Sequence, residues 1–157
     1  MSQSLVRIYV HIIFSTKNRI PFLTDMAFRE RVHAYLAGIC NKQDCPAIIV
    51  GGVADHVHLL CRLGKQTDIS TLIREIKRDS SSWVKEQPLS LSAFYWQSGY
   101  GAFSISPSMW MAWRTTFAIR NSTTRRKHFK TNSGASARSM EYHLMNGMRG
   151  IERALRK

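Results

Sequence analysis

The sequence predicts an α+β fold of β-α-β-β-α-β order. This is the ferredoxin-like, split βαβ arrangement: an antiparallel sheet with two helices on one face. Three observations predict it. Runs rich in β-branched and aromatic residues bracket residues 5–105. Two longer stretches between them repeat apolar residues at helical spacing. The two runs between those stretches follow each other closely, the first of them bent by Gly51 and Gly52.

The elements follow in order. Leu5–Phe14 (LVRIYVHIIF) reads as a buried strand, and Ser15–Phe22 as a polar loop that carries a proline stop. Thr24 is the expected N-cap of a helix from Asp25 to Asn41, with Met26, Phe28, Val32, Tyr35, Leu36 and Ile39 on its apolar face. Pro46 opens a second strand, Ala47–Val53, which Gly51 and Gly52 bend, and a third strand, His56–Leu63, follows closely. Gly64–Asp68 is a turn. Asp68 or Ser70 caps a second helix, Ile69–Lys85, whose buried side is Leu72, Ile73, Ile76 and Trp83. Gln87–Ser92 is loop. Phe94–Trp96 and Gly101–Ile105 form a last strand pair, or one strand bent around Gly99 and Gly101. The sheet face away from the helices is left for nucleic acid or a dimer partner. No repeat or low-complexity tract interrupts the pattern.

At 157 residues the chain is one domain with enough length to bury a core. A composition of 44% hydrophobic and 21% charged residues excludes disordered and fibrous classes. No apolar run approaches the roughly 18 residues of a membrane span. Arg7 and His11 inside the first apolar run mark it as a strand, not a secretory segment. Three cysteines without metal-type spacing fit an intracellular, reduced protein. The net charge of +13 points to a polyanionic partner, most often nucleic acid. That charge is uneven. Residues 1–108 hold 12 Lys and Arg against 8 Asp and Glu, net +4, and residues 109–157 hold 11 against 2, net +9.

The sharpest motif is Asp55-His56-Val57-His58-Leu59-Leu60. On a strand, residues i and i+2 share a face, so His56 and His58 stand side by side while Val57 and Leu59 turn into the core. Two neutral imidazoles at this spacing make half a site for a divalent metal. Taken alone, such a pair is more often structural than ligating.

The surrounding words add to this. GGVADHVHLLCRL resembles the signature of the IS200/IS605 group of HUH-type single-tyrosine transposases, and VHIIFSTKNRIPFL, STLIREIKRDSSSW and FYWQSGYGAFSISPS resemble that family's flanking segments in the same order. The resemblance covers residues 5–108. It implies cleavage and rejoining of single-stranded DNA with hairpin ends, through a 5′-phosphotyrosine intermediate. It implies a divalent cation, Mg2+ or Mn2+, on His56 and His58, a homodimer, and a cytoplasmic, nucleoid-associated location in a bacterium or archaeon. Lys17 and Arg19 in the first loop, and Arg74, Lys77 and Arg78 on the second helix, are candidate phosphate contacts, with a solvated basic face as the equal alternative. His11 alternates with Tyr9 and Ile13 and is read as a satisfied buried histidine before a site residue. Trp96 and Tyr100 divide between base stacking and core packing.

The resemblance stops after Ser108. The family continues into a helix of the form Tyr-Ile-x-Asn-Gln, followed by His-His, in which the tyrosine is the nucleophile and the glutamine a third metal ligand. This chain reads MWMAWRTTFAIRNSTTRRKHFK, with no tyrosine between Tyr100 and Tyr142. Read one nucleotide earlier, the codons of residues 109–120 permit HVDGVADYIRNQ, the missing helix. Thr123 and Thr124 then permit His-His, and Phe129–Ser133 permits Phe-Gln-Asp-Glu-Phe. The expectation is therefore a transposase domain at 1–108 and an out-of-frame basic tail at 109–157, irregular or non-native in structure. Thr116 then occupies the tyrosine's position and Arg120 the third ligand's, and this copy is inactive. The alternatives are a divergent functional tail on a non-catalytic DNA-binding protein, or an RNA-binding domain of the same element order. The last needs exposed aromatics where the third strand carries histidines.

Overall fold

A computed structural model describes residues 5–87 and 92–106. Its elements are β1 (Ile8–Ser15), a 3-10 turn (Lys17–Arg19), α1 (Met26–Lys42), β2 (Ala47–Gly52), β3 (His56–Leu63), α2 (Ile69–Lys85) and β4 (Gly101–Ile105). The sheet runs β2-β3-β1-β4, with every neighbouring pair antiparallel. This is the predicted α+β arrangement.

Alternation builds the core. Val10, Ile12 and Phe14 of β1 and Val57, Leu59 and Cys61 of β3 point to one face. They pack against Phe28, Val32, Leu36 and Ile39 of α1 and Leu72, Ile73, Ile76 and Val84 of α2. Trp96 closes one end, edge-on to Phe14 at 4.8 Å and to Phe94 at 4.9 Å. Its buried indole N–H donates to Ser80 Oγ (2.8 Å), and that hydroxyl donates to the Ile76 carbonyl (2.6 Å). No described helix is long and apolar enough to cross a membrane.

The structure corrects several boundaries. β1 starts at Ile8, because its partner ends at Leu63, opposite Ile8, and Leu5 is left 87% exposed. Asp25, not Thr24, caps α1: its carboxylate accepts the Phe28 N–H at 2.5 Å. Asp68, rather than Ser70, caps α2 by accepting the Thr71 N–H (2.8 Å). Hydrogen bonds from Ser70 and Thr71 hold that carboxyl well below the usual range. Trp83 is half-buried, stacked on Tyr35 at 4.6 Å, and Val84 takes the buried position. Phe94–Trp96 is not a strand. It meets the sheet only through a single bridge from Trp96 to Thr16, just past the end of β1, and the rings of Phe94 and Trp96 fill the core while Tyr95 is exposed. The predicted tail, with Thr116 and Arg120, and residues 88–91 of the predicted loop lie outside the described residues.

Candidate functional site

The same alternation lines the other face. Cross-strand partners share a face, and β1 and β3 pair His58 with Ile13, Ser15 with His56 and His11 with Leu60. On the other side of β1, His11 pairs with Phe103 of β4. Three histidines therefore meet on the two central strands.

Their geometry is specific. His58 lies 5.1 Å from His56 between ring centroids, tilted by 71°. His11 stacks on His58 at 5.3 Å and 13°, with its Nε2 3.1 Å from His58 Nδ1. His11 and His58 are buried, and burial lowers the His11 pKa to about 4, so His11 is neutral at pH 7. His56 is half-buried and sits beside Asp55, with Nδ1 and Oδ1 2.7 Å apart. The other oxygen of Asp55 accepts Arg19 Nε at 2.8 Å. Burial works to raise the Asp55 carboxyl. The hydrogen bonds and charges of His56 and Arg19 outweigh it and hold it below its ordinary value.

The chain reaches this arrangement through two tight turns. Between β2 and β3, the Val53 N–H donates to the His56 carbonyl at 3.0 Å, with Gly52 at φ +154°. After β1, Asn18 and Arg19 both adopt positive φ, 54° and 55°, and the Arg19 N–H donates to Thr16 (3.0 Å). The Thr16 N–H donates to the Asp55 carbonyl at 2.9 Å and ties the two turns together.

The sequence profile described as "Transposase IS200 like" matches residues 4–115. The chain belongs to the IS200-like transposase family. Two solved structures share the fold of this IS200-like chain. A transposase candidate from Deinococcus radiodurans R1 is 19% identical, with a TM-score of 0.57 over 76% of this chain and 98% of that one. A REP-associated tyrosine transposase bound to a REP hairpin is 13% identical, with a TM-score of 0.50 over 74% of this chain and 67% of that one. No curated protein matches.

Against the residues singled out in the sequence of this IS200-like chain, the site is tighter than expected in one place and looser in another. His56 and His58 stand side by side on β3, and His11, buried as read from the sequence, lies against His58. The alternation of Tyr9, His11 and Ile13 was the signal for it, but only the antiparallel register brings it to His58. Asp55 is the residue that sequence reasoning left without a role. Its signal was an acidic residue immediately before the first strand histidine. Arg19 faces Asp55. Lys17 is exposed. Arg74 and Arg78 are exposed and paired with Glu75, and Arg78 also with Asp79 at 2.8 Å. Lys77 is committed to the fold. Its Nζ donates to the carbonyls of Gln97 (2.7 Å), Ser98 (3.2 Å) and Gly99 (2.9 Å), which uses all three of its protons. It lies over the Phe14 and Tyr100 rings, and burial lowers its pKa to about 8. Trp96 is core, while Tyr100 is 41% exposed.

The described residues hold no cluster of three or more His, Cys, Asp or Glu arranged for a cation. The imidazoles of β3 are the described donors whose chemistry suits one.

Proposed function

We propose that this chain is an IS200/IS605-type single-strand DNA transposase whose catalytic segment is replaced by out-of-frame sequence. It keeps the fold and the histidine site and lacks the nucleophile. One observation carries this reading. Read one nucleotide earlier, the codons of residues 109–120 permit HVDGVADYIRNQ, which puts the family's tyrosine at Thr116 and its glutamine at Arg120. On this reading residues 1–108 are the transposase domain and 109–157 the tail.

Within that domain His56 and His58 are the ligands for a divalent cation, Mg2+ or Mn2+. The donor set fits. The Nδ1 of His56 faces a carboxylate and that of His58 faces an imidazole, so Nε2 is the atom through which either ring would ligate a cation. Such a cation, when bound, supplies charge that polarises a phosphodiester. The chain's own residues orient that site. Asp55 accepts from His56, and neutral His11 keeps a second positive charge away from His58. The partner is single-stranded DNA with hairpin ends, consistent with the hairpin bound to the REP-associated relative. Of the candidate phosphate contacts, Lys17, Arg74 and Arg78 are exposed, and Arg74 and Arg78 would have to exchange their pairing with Glu75 for a phosphate. The active assembly is a homodimer, as the family resemblance implies.

A second reading is a non-catalytic protein that binds element ends. The net charge of +9 in residues 109–157 favours it.

The test is a denaturing gel with Mg2+ and labelled single-stranded DNA carrying the element's own ends. The 157-residue chain is expected to give no covalent adduct. The same chain with its reading frame restored from codon 109 is expected to give one. An adduct from the unaltered chain overturns the inactive-copy reading. The nucleotide sequence around codons 105–112 checks the frame directly.

A further inference from the structure

We propose that Asp55 is a positioning residue for His56: its carboxylate fixes that imidazole in the Nδ1–H tautomer and so presents Nε2 as a lone-pair donor. The inference rests on the reading of His56 as a metal ligand, but its geometric content stands on three observations.

The first is the 2.7 Å contact between Asp55 Oδ1 and His56 Nδ1. An ionised carboxylate only accepts, so the proton of this bond belongs to the ring nitrogen. Arg19 Nη2 also approaches His56 Nδ1, at 3.3 Å. A guanidinium only donates, and one nitrogen cannot both donate to Asp55 and accept from Arg19. The shorter, charge-assisted bond decides the tautomer.

The second is that Asp55 is itself held. Its Oδ2 accepts Arg19 Nε at 2.8 Å, and its backbone carbonyl accepts the Thr16 N–H at 2.9 Å. Both ends of the residue are fixed by the segment that follows β1, so the carboxylate is not a swinging surface group.

The third is the contrast with His58, whose Nδ1 faces the imidazole of His11 at 3.1 Å. An imidazole can either donate or accept there, so that contact does not choose a tautomer for His58. The carboxylate makes the choice for His56. A carboxylate behind a ligating imidazole also raises its basicity, and losing such a partner commonly lowers metal affinity about 10–100-fold.

The experiment uses the full metal-free chain, labelled with 15N on its histidine rings, and two-bond 15N–1H correlation spectra to read each tautomer. Mn2+ binding is followed in parallel by electron paramagnetic resonance. In the unaltered chain His56 is expected as the Nδ1–H tautomer. In Asp55→Ala it moves to the Nε2–H form that imidazole prefers in water, and Mn2+ affinity falls about 10–100-fold. In Asp55→Asn the amide oxygen still accepts, so the Nδ1–H form and most of the affinity are retained. Loss of the carboxylate with the bond preserved separates positioning from a general effect on folding. If His56 keeps the Nδ1–H form in a folded Asp55→Ala chain, the positioning role is overturned. His56→Ala tests the underlying ligand reading by itself. If that variant binds Mn2+ as the unaltered chain does, His56 is no ligand, while a tautomer change in Asp55→Ala still upholds the positioning role.

Discussion

Nε2 of His11 on β1 lies 3.1 Å from Nδ1 of His58 on β3, and the two rings stack at 13°. Only one proton fits between these nitrogens, so at least one of the two rings is neutral whenever this contact is intact. Burial supplies the neutrality at His11, whose pKa falls to about 4. The site is thus built from uncharged imidazole on the β1 side and a carboxylate-backed imidazole on the β3 side.

This has a consequence for stability. His33 on α1 is likewise lowered to about 4, by burial and then by the charge of Arg29, and its buried Nε2 has no hydrogen-bond partner among the described residues. In the unfolded chain both imidazoles take up protons as the pH falls through 6.5. In the folded chain they do not until about 4. Between these values the unfolded state binds more protons, so stability is lost as pH falls from 6.5 to 4. At pH 5 the loss is on the order of 2 kcal/mol per imidazole. Urea midpoints at pH 7 and pH 5 measure it, and His33→Gln should remove close to half of the difference. An unchanged pH dependence in that variant would show that His33 does not titrate as argued.

Gly52 is predicted to be intolerant of any side chain. A Cβ there would lie 2.2 Å from the His56 carbonyl oxygen and 2.8 Å from Val57 Cα, both backbone atoms, at φ +154°. Gly52→Ala must open the turn that starts β3, at a cost of about 2 kcal/mol or more. It should also weaken Mn2+ binding, because Asp55 and His56 sit on that turn. Gly38→Ala is the control. It lies within α1 with nothing within 4 Å of its Cβ, and should stabilise the chain by about 0.5–1 kcal/mol. Thermal unfolding of both variants decides; equal shifts would refute the steric account.

The parts of this fold that were legible in the sequence are those set by local signals. β3 and α2 match their expected spans, His56–Leu63 and Ile69–Lys85, because alternation, helical spacing and an aspartate cap agree there. What was misread depended on distant partners. The apolar run at Leu5 continues upstream of the point where β3 ends, so Leu5–Arg7 have no strand to pair with. Phe94–Trp96 has strand composition, but Ser80 and Phe14 draw Trp96 into the core. The site divides in the same way. The spacing of His56 and His58 gave their shared face directly. The Arg19–Asp55 pair spans 36 positions, and the Lys77 contacts with residues 97–99 span 20 to 22. In a sequence, a lysine tied to carbonyls looks the same as one facing a phosphate.

Binding to single-stranded DNA should be steeply salt-dependent. Residues 109–157 carry +9 of the +13 net charge, and Arg125, Arg126 and Lys127 form its densest run. Each phosphate contact contributes about −0.7 to the slope of log affinity against log salt for single strands. Replacing these three residues together by Gln should flatten the slope by about 2 if each meets a phosphate. Fluorescence anisotropy across a salt series measures it, and an unaltered slope would place the run off the DNA.

Restoring the tyrosine alone should not restore cleavage. The chemistry proposed for the intact family member needs a phenol held in line with a bound phosphate, on a helix beside the histidine strand. Thr116 has a hydroxyl, but its side chain is several ångströms shorter than tyrosine's. Its alkoxide is also a far poorer leaving group for the rejoining step than a phenoxide, whose conjugate acid has a pKa of about 10. Thr116→Tyr supplies the phenol and nothing else. Residues 109–120 (MWMAWRTTFAIR) still lack the Asn-Gln that follows the family tyrosine, and on the proposed reading Arg120 puts a cation where the third ligand belongs. A guanidinium has no lone pair to offer a metal and repels one. Thr116→Tyr is therefore expected to leave the adduct band absent. Thr116→Tyr combined with Arg120→Gln should give at most a trace. The full restored frame should give a strong band with Mg2+ that disappears with a chelator. An adduct from Thr116→Tyr alone would mean that the in-frame segment already supports the catalytic geometry, and would overturn the proposal that out-of-frame sequence leaves this copy inactive.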